Sequence, residues 1–354
     1  MKAEIPGLVV LLGSGETLPS SGKIHEYVAR QLPQKPHIVI LETPAGFEPN
    51  SDRVAGKIKE FLERRLQNYK PDISVLPARK RGTPFSPDNA DIVSPILTAD
   101  EILLGPGSPT YGSRQLRGSL ALRMIAARHR LGATLFLSSS ATLSFGALTM
   151  PVYEIYKVGE DLHWQRGLDF LAAYGLSVTV IPHWNNSDGG TELDTSHCYV
   201  GEARFTKLQT LLPAGQCVLG IDEHTAVIIN FADGCCQVMG SGTATVLRDG
   251  TAHVYEKDSR FSLDVLGEWY LPLNGDGIPT DLWQAALAAA AEREREAAAT
   301  AVPSAQVYAL VAARDTARAA KDWQTADSLR DEILNLGWQV LDTPDGSELL
   351  PLDG

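Results

Sequence analysis

"TLFLSSSATLSF", residues 134–145, is the stretch whose reading decides the fold. An apolar run leads into three consecutive serines, and "ATLSFGAL" then opens a helical pattern. A short continuous apolar run that ends in small polar residues predicts a strand buried on both faces, here over 134–139, followed by a sharp turn into a helix at Ser140. Such an elbow exposes a serine Oγ and aims the free N–H groups of a helix N-terminus at the same point. Ser140 is therefore the candidate nucleophile, and Ser139 is expected on the opposite strand face. The same serines would also serve as plain turn and cap residues.

Working outward, "GLVVLLGSGE" (7–16), "HIVILETPAG" (37–46), "ISVLP" (73–77) and "EILLGPGS" (101–108) repeat the pattern of an apolar run ending in Gly, Ser or Pro. Residues 51–69 and 113–132 lie between them, with apolar positions at helical spacing. That order predicts an α/β fold, an open and mostly parallel sheet with helices on both faces, whose ligands sit beyond the carboxyl ends of the strands. Strand-like runs at 176–184, 218–231 and 235–256 extend the domain to about residue 256, the last with a hairpin turn at "RDG". Residues 257–303 read as a linker with an alanine-rich helix, and 304–354 as a helical hairpin with a short extended tail.

Composition narrows the function classes. The chain has 354 residues and a formal charge of −12, which argues against a broad nucleic-acid surface while leaving room for a small anionic substrate. No apolar stretch reaches the roughly 20 residues of a spanning helix, so the expectation is a cytoplasmic protein with no membrane segment and no signal peptide. Cys198, Cys217, Cys235 and Cys236 lack zinc-site spacing and read as reduced core thiols; no metal and no cofactor is expected.

Three stretches could complete a site around Ser140. "LLGPGSPTYG" (103–112) places a glycine turn at a strand end, where the Gly107 N–H could join an oxyanion hole. "VIPHWNNSDGG" (180–190) puts His183 at another strand end as a candidate base. "MPVYEIYKVGED" (150–161) supplies carboxylates between them. Each also has an ordinary reading: glycines that only turn the chain, and a histidine packed under Trp184.

In order, "LLGSGE", "GPGSPTY", "SSSA", "GLDFL", "IPHWNN" and "LGIDEHTA" resemble the cyanophycinase and aspartyl dipeptidase family of serine hydrolases, over roughly residues 7–250. The resemblance implies a class I glutamine amidotransferase-like fold and cleavage of a peptide or amide bond through an acyl-enzyme. It implies Ser140 as nucleophile, His183 as general base and Ala141 as a second oxyanion donor beside Gly107. It also implies an acid in a strand after the nucleophile helix, best matched by Glu154, with Glu160 and Asp161 as rivals. Ser138 and Thr142 stand where the family's elbow has glycine, which keeps open a non-catalytic scaffold built on the same fold. Arg204, Arg166 and Lys157 are candidates for carboxylate recognition, and Asn185 and Asn186 for lining a substrate pocket. Asp222, Glu223, His197 and His224 read as packing or hydrogen-bonding residues.

The tail differs. "KDWQTADSLRDEILNLGW" and "DTPDG", within 312–350, resemble the extreme C-terminal segment of cysteinyl-tRNA synthetases. From Trp283 onward the chain carries six Lys and Arg against twelve Asp and Glu, a net −6. That charge weakens a tRNA-linked accessory role and favours a docking hairpin, for instance one that forms a homo-oligomer.

Overall fold

A computed structural model describes residues 5–300, 303–343 and 346–351. The chain divides into two compact units, Met1–Ala289 and Ala290–Gly354.

The first unit begins with strands β1 (Val9–Leu12), β2 (His37–Leu41), β3 (Asp72–Leu76), β4 (Glu101–Leu104) and β5 (Thr134–Ser138). They pair in parallel in the order β1-β5-β4-β2-β3. Helices α1 (Pro19–Ala29) and α2 (Ser51–Arg65) cover one face, and α4 (Pro109–Leu116) and α5 (Leu120–Arg130), after the short α3 (Ala90–Val93), cover the other. Alternation along β1 shows why its run is apolar throughout. Val10 and Leu12 join Ile24, Val28 and Ile58 on one side, while Val9 and Leu11 join Leu116, Met124 and Ile125 on the other.

After the elbow helix α6 (Ser140–Ser144) comes a minor two-residue ladder, β6 (Leu148–Thr149) with β7 (Gln165–Arg166). Then follow β8 (Val178–Ile181), α7 (Glu202–Gln209), β9 (Cys217–Ile221), β10 (Thr225–Asn230), β11 (Cys235–Gly240), β12 (Ala244–Arg248), β13 (Thr251–Tyr255) and β14 (Arg260–Ser262). β10, β11 and β14 extend the main sheet with antiparallel pairs beyond β1, giving eight strands. β8, β9, β12 and β13 form a separate four-stranded sheet in which β8 and β9 are parallel. The α/β expectation and the helices on both faces hold, and the later strands divide between two sheets. The "RDG" turn closes β12 onto β13, with φ of +49° at Asp249 and +75° at Gly250.

Residues 257–289 do not behave as a linker. Phe261, Leu263, Leu266 and Leu282 join the main core, and Trp283 and Ala286 pack with Ala127. Burying these side chains carries the first unit some thirty residues past the boundary expected at 256. Residues 301 and 302 of the expected linker lie outside the described residues.

α8 (Thr280–Thr300) runs past Ala289 into the second unit. There α9 (Ala305–Ala319) and α10 (Trp323–Asn335) form the expected hairpin, and Ser304 caps α9 by accepting the Val307 N–H at 3.3 Å. The expected extended tail is a β-hairpin of β15 (Trp338–Thr343) and β16 (Gly346–Pro351), and the middle of the "DTPDG" turn, residues 344 and 345, lies outside the described residues. Val307, Val311, Ile333, Trp338 and Val340 make a small core. The fully buried Arg314 holds Asp342 through two hydrogen bonds of 2.9 and 3.0 Å. Among the described residues, no helix is long and apolar enough to cross a membrane.

Candidate active site

The site is assembled from four strand ends. β5 stops at Ser138, whose buried hydroxyl donates to Glu16 Oε2 at 2.8 Å. Ser139 makes the turn with φ +54° and ψ −116°, a conformation that costs a non-glycine residue about 1–3 kcal/mol. Its N–H donates to Leu12 O at 3.0 Å and its carbonyl receives the Leu143 N–H, so β1 and α6 hold the strained residue from both sides.

The strain presents the Ser139 hydroxyl to His183: Oγ lies 2.8 Å from Nε2. His183 is the second residue beyond β8 and has φ +51°. The N–H groups of Asn186 and Cys198 both bond its carbonyl, which fixes the turn. His183 Nδ1 lies 2.9 Å from Glu223 Oε1, and that oxygen also accepts from Asn186 Nδ2 at 2.9 Å. The His183 contact, helped by the Asn186 amide, holds the Glu223 carboxyl below its ordinary range against the opposing effect of burial. An ionised carboxylate only accepts, so the proton between the two sits on Nδ1 and Nε2 is left to accept from the Ser139 hydroxyl. The His183 side chain is 13% exposed, dry enough to hold the pair yet open to a substrate.

Several expected positions move. The strand ends one residue early, so the elbow belongs to Ser139, and the Ser140 hydroxyl turns to Gly105 O at 3.4 Å. The position two beyond the elbow is then the fully buried Ala141 and not Thr142. Thr142 is accommodated with its one hydroxyl proton shared between Leu12 O and Leu137 O, at 3.0 and 2.9 Å from Oγ1. With the shifted elbow, the first N–H of α6 belongs to Ser140 and not to Ala141.

Glu154 lies on a helical turn, Glu154–Val158, where a strand was expected, and its Oε1 accepts the Thr110 hydroxyl at 2.6 Å. Its rivals face His163: Glu160 Oε2 is 4.0 Å from Nε2, and the Asp161 carbonyl bonds Nδ1. Asn185 and Asn186 do not line the pocket. Asn185 Oδ1 accepts the Glu223 N–H at 2.8 Å, so both asparagines hold the acid. Arg204 spends its Nε on the Val200 carbonyl, and the Arg166 carbonyl is a partner of Arg117. His197 stacks on Phe205 with centroids 4.5 Å apart, in the packing role expected of it.

Glu223 is the residue that sequence reasoning missed. β8 and β9 are parallel neighbours with Ile181 opposite Gly220, and His183 and Glu223 each lie two residues past their strand. That equal offset in "IPHW" and "GIDEH" was the available signal. Gly220 is needed there, because a Cβ would come within 2.3 Å of the Trp184 ring.

Gly107 lies three residues past the end of β4. Its φ is +151° and a Cβ would lie 2.0 Å from Pro44 O, so only glycine fits. Gly107, Ser139, Ser140 and His183 share one cavity of about 480 Å³. Cys198 also borders it, with burial pushing its thiol up to about 12, which suits an inert core thiol.

The chain is similar to two kinds of known protein. A peptidase from an acI-B1 Actinobacterium superposes with a TM-score of 0.59 at 21% identity, over 73% of this chain and 98% of that one, so the two share an α/β fold. Residues 303–348 match the family model of the cysteinyl-tRNA ligase anticodon binding domain. The cysteine–tRNA ligase of Afipia carboxidovorans is 32% identical over 112 residues, 32% of this chain and 22% of that protein. That of Cutibacterium acnes is 51% identical over 41 residues, 12% and 8%. The chain thus spans about a fifth or less of the length of these ligases.

Proposed function

We propose that the first unit is a serine hydrolase that cleaves a peptide or amide bond through an acyl-enzyme on Ser139. The observation that carries this reading is the unbroken relay from Ser139 Oγ to His183 Nε2 at 2.8 Å and from Nδ1 to Glu223 at 2.9 Å. As Oγ attacks the carbonyl carbon, its proton passes to Nε2, and Glu223 stabilises the imidazolium that results. The N–H groups of Gly107 and Ser140 are the oxyanion donors. The C–N bond breaks as His183 returns the proton to the leaving amine, and water repeats the sequence on the ester. The shared fold with a peptidase supports the same class of reaction.

The test is labelling with an alkyl fluorophosphonate. Wild type and Ser140→Ala should both label and Ser139→Ala should not; equal labelling of all three, or of none, would contradict the proposal.

The second unit suggests a separate reading, tRNA binding through residues 303–348, on the strength of the family match. Salt-sensitive tRNA binding lost on removal of that segment would support it. The net −6 from Trp283 onward favours instead a docking or self-association module, which sedimentation-equilibrium measurement of the full chain against a chain ending at Ala289 would detect.

A further inference from the structure

The cavity that Ser139 and His183 border bears on the class of substrate, an inference that rests on the serine hydrolase reading. Its walls beside Ser139 are Leu143, Val152, Tyr153, Tyr156 and Tyr199. The Tyr156 and Tyr199 rings lie 5.9 Å apart, and Tyr199 is 5.4 Å from the His183 imidazole, so the aromatic wall reaches the reacting serine. Besides His183, two charged side chains among the described residues border the cavity, Asp188 and Lys157, one of each sign. The Tyr199 hydroxyl donates to Asp188 at 3.2 Å, and the exposed Lys157 ammonium sits 4.8 Å from the Tyr156 ring centroid. Among the described residues no arginine lines this cavity. Without a guanidinium fork, a substrate carboxylate lacks the bidentate partner it would meet in a site built for acidic groups. A volume of about 480 Å³ accommodates an aromatic side chain together with the scissile bond.

We infer that the residue flanking the scissile bond is apolar, and best aromatic, with its ring against Tyr156 and Tyr199. The test compares inactivation rates of the full chain by diphenyl aminoalkylphosphonates carrying phenylalanine-, leucine-, aspartate- and lysine-type side chains, beside a plain alkyl fluorophosphonate. Each phosphonate forms a P–O bond to the serine and expels phenol, the serine proton leaving with it. The phenylalanine-type probe should react about tenfold or more faster than either charged probe. Tyr156→Ser should narrow that ratio, and Tyr156→Phe should keep it. A faster aspartate-type probe, a faster lysine-type probe or equal rates would overturn the inference while the fluorophosphonate label upholds the hydrolase. Failure of the plain fluorophosphonate to label at all would overturn both.

Discussion

The two ends of the parallel strands carry the same residue types and put them to different uses. At the amino end, His129 is fully buried with Nδ1 2.7 Å from the Tyr174 hydroxyl, and burial pushes its pKa down to about 3. Glu101, at the start of β4, is 1% exposed and burial pushes its carboxyl up to about 8. Both groups are held neutral near pH 7. At the carboxyl end, His183 and Glu223 bond each other and keep partial exposure, and His183 faces a cavity. Sealing a histidine and a carboxylate apart from each other silences them, whereas pairing them at an opening is the arrangement that the proposed base requires.

The largest effect that would sharpen this contrast is on rate. His183→Ala should lower kcat/KM by about 10⁴-fold or more, against a change within about tenfold for His129→Phe, whose cost should appear in a thermal melt. Glu223→Gln should cost about 10³- to 10⁴-fold, because the amide no longer fixes the Nδ1 proton, while Glu154→Gln should stay within about threefold. A larger loss at Glu154 than at Glu223 in steady-state kinetics would break the assignment of the acid. Asn186→Ala removes one of two donors to Glu223 Oε1 and should cost about tenfold in kcat, with the Ser139 label retained.

The smallest effects are in stability against pH. Glu101 binds a proton in the folded chain up to about pH 8 but loses it near its ordinary 4.5 when unfolded, so its contribution worsens as pH rises between those values. Glu101→Gln should melt together with wild type at pH 4 and a few degrees above it at pH 8. Glu223 runs the other way. Its folded carboxyl lies below 4.5, so its stabilisation is full above that pH and is lost on acidification through the folded value. The difference in melting temperature between wild type and Glu223→Gln should therefore shrink in acid.

Much of the fold was legible because buried parallel strands are written as continuous apolar runs, and β1, β2, β4 and β5 fall inside the runs that predict them. The division of the later strands into two sheets was not, since antiparallel addition of β10 to β1 depends on contacts more than two hundred residues apart. At the site, Gly107 and His183 were found at strand ends. Ser139 was not, because three identical residues leave the register of the turn open by one, and only the ladder partner of Ser138 closes it. Glu223 was passed over for Glu154 because its link to His183 arises from the pairing of β8 with β9, across forty residues of sequence.

The central claim is that the elbow serine is Ser139. It is tested most directly by treating wild type with an alkyl fluorophosphonate, digesting the adduct and locating the phosphonyl mass by tandem mass spectrometry within residues 134–145. The adduct mass is predicted on Ser139 alone; finding it on Ser138 or Ser140 would contradict the account.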